Sequence, residues 1–259
     1  MKKIFQMLLL SMFLLTSCES NKCHLANDNA PRVSKAVHRP NETCTAIVAD
    51  SEVQSLMWGE MNYRWPQHEN ITVKFIDGTE AQHKLARKRF DKIDEYVNLT
   101  FVFVDEGNSD IRVSFAEENS HYSYVGLGNR SVPQNKKTMN LGLRSFHNDV
   151  EWDRVVLHEV CHAIGFLHEH QHPKAGIPWD ERKVINYYKR TQGWDEKQVR
   201  EQVLNRYNGN QFFGSEFDDY SLMLYPVPSE LTTNGYSVGW NTQLSPCDIK
   251  VLQETYPNK

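Results

Sequence analysis

The sequence predicts an α+β domain built around one sizeable core, and three observations carry that reading. Short runs of alternating apolar residues recur through the first half, a long amphipathic helix interrupts them, and the chain closes on a helix with an explicit start signal. A length of 259 residues, 39% hydrophobic and 24% charged, suits one core or two small lobes sharing a cleft. The net charge of -4 leaves no basic excess, which argues against nucleic acid as a partner.

Taken in order, Lys2 and Lys3 precede an apolar run from Ile4 to Leu15, too short to span a bilayer but of the form of an export signal. Leu15-Thr16-Ser17-Cys18 also fits a bacterial lipobox, whose cysteine is lipidated; the alternative is an ordinary signal sequence, over 1–18, with a chance cysteine. Residues 19–55 are polar and aperiodic, as in a linker or prosegment. Ile71, Val73 and Phe75 alternate with Thr72 and Lys74, reading as a half-buried strand stopped by Asp77-Gly78. Ala86, Phe90, Ile93 and Val97 form the apolar stripe of a helix over 80–97. Further strands are expected over 100–104, at Ile111, Val113 and Phe115, and over 139–143, with a second long helix over 151–165. Two short helices follow near 180–190 and 195–205. In the last helix Ser245 is a good N-cap, Pro246 falls at the first helical position and Asp248 at the third, ahead of Ile249, Leu252 and Tyr256.

His158-Glu159-Val160-Cys161-His162 carries the chemistry. On a helix, residues four apart share a face, so His158 and His162 can grip one ion, while Glu159 can reach a water on that ion. Gly165 can adopt positive φ and end the helix, bending the chain so that His168 returns as a third ligand. Three ligands and one open position describe a catalytic zinc rather than a structural one. A bare H-E-x-x-H is a moderate signal, but H-E-x-x-H-x-x-G-x-x-H fixes five identities in a chain with only 11 histidines.

The extended motif is that of the metzincins, and further segments resemble the astacin family. Ser221-Leu222-Met223-Leu224-Tyr225 resembles its Met-turn, with a tyrosine two residues after the methionine. Ser123-Tyr124-Val125-Gly126, Arg64-Trp65-Pro66 and Leu244-Ser245-Pro246-Cys247-Asp248-Ile249 resemble other parts of astacin catalytic domains, so that the likeness covers about 56–257. The resemblance implies a two-lobed catalytic domain over 56–259. A twisted mixed sheet and two long helices would lie above the cleft, and a mostly irregular lower lobe would end in the last helix. It implies a secreted zinc endopeptidase acting on proteins and peptides, with Glu159 as general base and acid. Tyr225 would be an extra zinc ligand that swings to bond the oxyanion, and Met223 packing beneath the metal. It also implies that Glu169 meets the new N-terminus after an activating protease has cut. Extended substrates would add as a strand along an upper-lobe edge, expected here at 139–143.

The departures are informative. After Glu169 the chain reads His170-Gln171-His172-Pro173-Lys174-Ala175-Gly176, and Trp179-Asp180-Glu181-Arg182 comes only later. His170 and His172 read as solvated loop histidines rather than a second metal site. The aspartate motif with which astacin precursors block their zinc is absent, and Trp58-Gly59-Glu60 lies too close to Trp65 to replace it. With maturation near 50–57, the matching position falls close to Cys44, whose thiolate would serve as inhibitory zinc ligand. Cys23 in that role, or Cys44 in a disulfide, are the alternatives. Cys161 would pair with Cys247 or stay a free core thiol; the pair, which would tie the zinc helix to the last helix, is the preferred reading. Two competing readings are an adhesive protein on the same scaffold and a different zinc hydrolase. Glu159 with all three histidines argues against the first, the Met-turn tyrosine against the second.

Overall fold

The computed structural model describes residues 43–47, 63–207 and 216–257. The expected signal sequence, Cys18, Cys23, Trp58-Gly59-Glu60 and the expected maturation site lie outside them.

Six strands form one sheet: β1 (Thr43–Ile47), β2 (Asn70–Phe75), β3 (Thr100–Phe103), β4 (Ile111–Ser114), β5 (Ser120–Tyr124) and β6 (Met139–Leu141). Their order is β1-β5-β6-β4-β2-β3, parallel throughout except for the antiparallel β5–β6 pair. Strand β2 forms as its alternation predicts, with Ile71 and Val73 fully buried. In β4 every residue is buried, as a strand covered on both faces requires.

The placement of the substrate-pairing edge at 139–143 is corrected. Strand β6 is interior, hydrogen-bonded to β5 on one side and β4 on the other. Met139, Asn140 and Leu141 are each fully buried, and Asn140 Nδ2 donates to the carbonyls of Glu117 and Ser120. The edge lies one strand further out, at β5, and there β1 covers it.

Two long helices pack on the sheet. The first, α1 (Glu80–Asp94), opens with a capping box between Thr79 and Gln82 and buries Ala86, Phe90 and Ile93. A single turn, α2 (Gly128–Ser131), follows β5, and the second long helix is α3 (Asp149–Ala163). It starts two residues earlier than the apolar pattern suggested, because the Asn148 side chain accepts the Glu151 N–H. Buried Arg89 ties α1 to α3, donating at 2.7 Å to both Asp149 and Asp153.

Below the sheet the chain is mostly irregular. It contains α4 (Glu181–Gln192), α5 (Glu196–Val199) running on as a π-helical segment Arg200–Leu204, and the terminal α6 (Pro246–Thr255). Ser245 and Asp248 form the expected capping box at the start of α6. Val251, Leu252 and Tyr256 then join the core shared by the sheet, α1 and α3.

Candidate active site

Helix α3 carries His158 and His162 on one face, and its ending delivers His168. Gly165 has φ +105°, and the Phe166 N–H donates back to the Cys161 carbonyl, so the chain reverses within three residues. The freed carbonyls at this end are satisfied from elsewhere in the fold. Trp65 Nε1 donates to Ala163 O at 2.8 Å and the Tyr256 hydroxyl to Ile164 O at 2.6 Å. Gly126 donates its N–H to His162 O, and a Cβ there would lie only 1.8 Å from the Tyr63 carbonyl oxygen, so the position needs glycine.

The three imidazoles converge with one sulfur. One ligand atom from each of Cys44, His158, His162 and His168 lies within 4.8 Å of every other. His162 Nε2 and His168 Nε2 are 3.1 Å apart, and Cys44 Sγ is 3.8 Å and 3.7 Å from them. His158 and His162 donate their Nδ1–H to the carbonyls of Leu222 and Phe166, at 2.9 and 2.7 Å. That fixes the tautomer and leaves each Nε2 with a bare lone pair turned to the centre. Burial keeps all three rings neutral, holding His162 near 4 and the other two well below the usual histidine range. His158 Nε2 is buried with no hydrogen-bond partner among the described residues. Convergent, desolvated, unprotonated nitrogens beside a thiol fit a zinc ion, and nothing else here relieves them.

The support for His158 runs back to the last helix. Asp248, at the start of α6, accepts from Ser221 Oγ at 2.7 Å and Leu222 N at 2.8 Å. Leu222 in turn offers its carbonyl to His158. Met223 is 5% exposed in this turn and accepts the Glu169 N–H through its carbonyl.

Glu159 is 1% exposed, and its Oε1 lies 2.8 Å from Cys44 Sγ. Burial raises its pKa to about 8 and raises that of the Cys44 thiol well above the ordinary value, and the thiol donates to the carboxyl. Tyr225 donates its hydroxyl to the Cys44 carbonyl. Its ring lies 4.3 Å from that of His168. Cys44 is opposite His121 in the β1–β5 register, which is how a segment far from the motif reaches the histidines.

Glu169 is also buried, and its Oε1 accepts from Asp218 N at 2.8 Å. Burial and the nearby charges of Asp248 and Asp218 push its pKa well up. A cavity of about 30 Å³ adjoins Glu169, Asp218 and Asp248.

Two expectations are corrected. His170 and His172 are not solvated, being 1% and 6% exposed; the segment 200–207 bonds to His170 and to Gln171 between them. Cys161 is a free, buried thiol, so it does not pair with Cys247. Sequence reasoning also missed residues flanking Glu159: His121, whose Nδ1 accepts the Gly142 N–H, and Arg154, stacked 4.2 Å over Trp240. Arg154 was findable, four residues before His158 and so on the same helix face. Nothing in the sequence brings Trp240 to it.

This is the zinc-peptidase arrangement of the metzincins, and comparison places the chain within them. The family model for astacin, peptidase family M12A, matches residues 57–257, and the chain belongs to that family. Among solved structures it is similar to myroilysin, at 38% identity and a TM-score of 0.75, over 77% of this chain and 98% of that one. A second myroilysin crystal structure matches at 34% and 0.60, covering 83% and 100%. High choriolytic enzyme 1, a hatching enzyme zinc-protease from Oryzias latipes, shares the fold, at 13% identity and a TM-score of 0.54 over 79% of this chain and 100% of that one. Among curated proteins, zinc metalloproteinase dpy-31 of Caenorhabditis elegans and its namesake of Teladorsagia circumcincta are each 26% identical over 214 residues, 74% of this chain. The chain spans about a third of their length, 32% and 31%.

Proposed function

We propose that this chain is the latent precursor of a secreted zinc endopeptidase that hydrolyses peptide bonds in proteins, and that Cys44 holds it off. The observation that carries the reading is the meeting of the Cys44 sulfur with the three histidine nitrogens. His158, His162 and His168 would hold the zinc, with the Cys44 thiolate filling the fourth position until it is removed. When bound, the metal supplies Lewis acidity to the scissile carbonyl and makes a water acidic enough to attack.

The chain's own residues do the rest. In the latent form Glu159 Oε1 is occupied by the Cys44 sulfur, 2.8 Å away. Once the prosegment leaves, Glu159 takes a proton from the attacking water and passes it to the leaving amine. The Tyr225 hydroxyl, now spent on the Cys44 carbonyl, is free to donate to the oxygen that gains charge. Met223 supports the ligands from below as packing.

Latency rests on the sheet as well as the sulfur. Strand β1 occupies the free edge of β5 over five paired residues, the edge along which an extended peptide would add. An activating protease would remove it by cutting near 50–57. The new terminal ammonium would then enter the cavity beside Glu169, where Asp218 and Asp248 make an anionic receptor. An export signal over 1–18 would carry the chain out of the cytoplasm or into the cell envelope, with a lipid on Cys18 as its one membrane contact if the lipobox is used.

Casein hydrolysis by the purified precursor, before and after limited trypsin treatment and with a zinc assay on each sample, tests this. Activity is expected only after cleavage, with zinc near one per chain throughout. Glu159→Ala should keep the zinc and show no turnover in either state. Zinc without activity in the cleaved wild type would favour the adhesive reading.

A further inference from the structure

His170 is the least expected residue of the site. It is 1% exposed, and its ring lies nearly parallel to that of Tyr225, 4.4 Å between centroids at 25°. On its edge, Nε2–H donates to the Gln202 carbonyl at 2.9 Å, while Nδ1 has no hydrogen-bond partner among the described residues. The ring is thus held at one edge and offers a face to the tyrosine.

What holds that edge is the π-helical segment after α5. Helix ends leave their last carbonyls without an intrahelical donor, and a π turn is often found beside a functional site. Here Asn205 N–H closes the turn on Arg200 O, and the next two carbonyls are taken by consecutive side chains of the 169–171 turn. Glu201 O accepts from Gln171 Nε2 at 2.7 Å and Gln202 O from His170. Gln171 also donates to Asn205 O and accepts the Tyr207 hydroxyl at 2.8 Å, so the junction is anchored independently of His170.

We propose that His170 is the positioning residue for Tyr225: its clamped ring is the platform on which the phenol stacks, keeping the hydroxyl aimed at the carbonyl oxygen it serves. The proposal rests on the reading of Tyr225 as the donor to the developing oxyanion. In the latent chain the same stack aims the hydroxyl at the Cys44 carbonyl. Removing the ring leaves the phenol free to rotate away, and a donor misplaced in this way loses part of the 10²–10³-fold effect of an oxyanion-hole group.

Two substitutions separate the ring from its hydrogen bond. His170→Phe keeps an aromatic platform and gives up the bond to Gln202; His170→Gln keeps a donor and gives up the platform. In trypsin-activated enzyme, His170→Gln should lower kcat about ten-fold with KM within about two-fold. His170→Phe should stay within about three-fold of wild type. Calorimetric binding of a phosphinic peptide, which presents a tetrahedral anion, should weaken by the same factor as kcat falls. Tyr225→Phe supplies the reference: in that background His170→Gln should cost nothing further. An undiminished loss in the Tyr225→Phe background, or His170→Phe as impaired as His170→Gln, would overturn the proposal and leave the role of Tyr225 standing. If Tyr225→Phe itself leaves kcat and phosphinic-peptide binding intact, the oxyanion reading fails and takes this one with it.

Discussion

Strand β5 has two neighbours of opposite kind. On one side β6 pairs antiparallel, with Met139, Asn140 and Leu141 fully buried and the Asn140 amide fastened to two backbone carbonyls. On the other side β1 pairs parallel, contributes only buried Ala46 to a small cluster with Val125 and Leu167, and carries its sulfur into the active site. The inner neighbour is held by burial along its whole length. The outer one is held by a five-residue ladder, the small Ala46 contact, the Tyr225 hydroxyl on the Cys44 carbonyl and the sulfur among the histidines. Burial of apolar surface cannot be undone by one cut, whereas a five-residue edge strand that buries little apolar surface can.

The comparison breaks first at the anchor. Cys44→Ala should make the uncleaved precursor active on casein, raising its rate by about two orders of magnitude or more, since nothing else in β1 occupies the fourth metal position. A fully latent variant would mean that the ladder alone suffices. A smaller effect is expected from chelation. Stripping the metal from intact precursor should speed amide hydrogen exchange at the β1–β5 ladder while leaving β5–β6 amides protected; equal loosening on both sides would erase the distinction. The smallest effect is on the inner side. Asn140→Ala should cost about 1 kcal/mol of stability, at the low end for a buried polar group because both carbonyls keep another donor. Denaturant unfolding measures it, and latency should not change.

What the sequence made legible follows the same division. The zinc helix was readable because identities at fixed spacing, His158, Glu159, His162 and His168, leave little room for chance, and Gly165 explains the turn between them. The strands at 70–75 and 111–114, the helix at 80–94 and the cap of α6 were readable because apolar period or cap chemistry is local. Strand β5 was not. Its buried residues are the polar His121 and Ser123, so the apolar alternation that marks a strand is missing. Without β5, the outermost visible strand was 139–143, and the substrate edge was misplaced by one strand. Strand β1 was hidden by its polar surroundings, although Thr43-Cys44-Thr45-Ala46-Ile47 is rich in β formers. His170 looked solvated because its neighbours are polar; the segment that meets it and Gln171 arrives from thirty residues along the chain, bonded through Gln202, Glu201 and Asn205. Burial made by distant segments leaves no local mark.

Zinc K-edge absorption on the intact, metal-loaded precursor tests the central claim most directly. Cys44 on the metal predicts one sulfur in the first shell, at about 2.3 Å, beside the histidine nitrogens. That sulfur should vanish both in Cys44→Ala and after activation by cleavage. A first shell of nitrogen and oxygen alone in the intact precursor would contradict it.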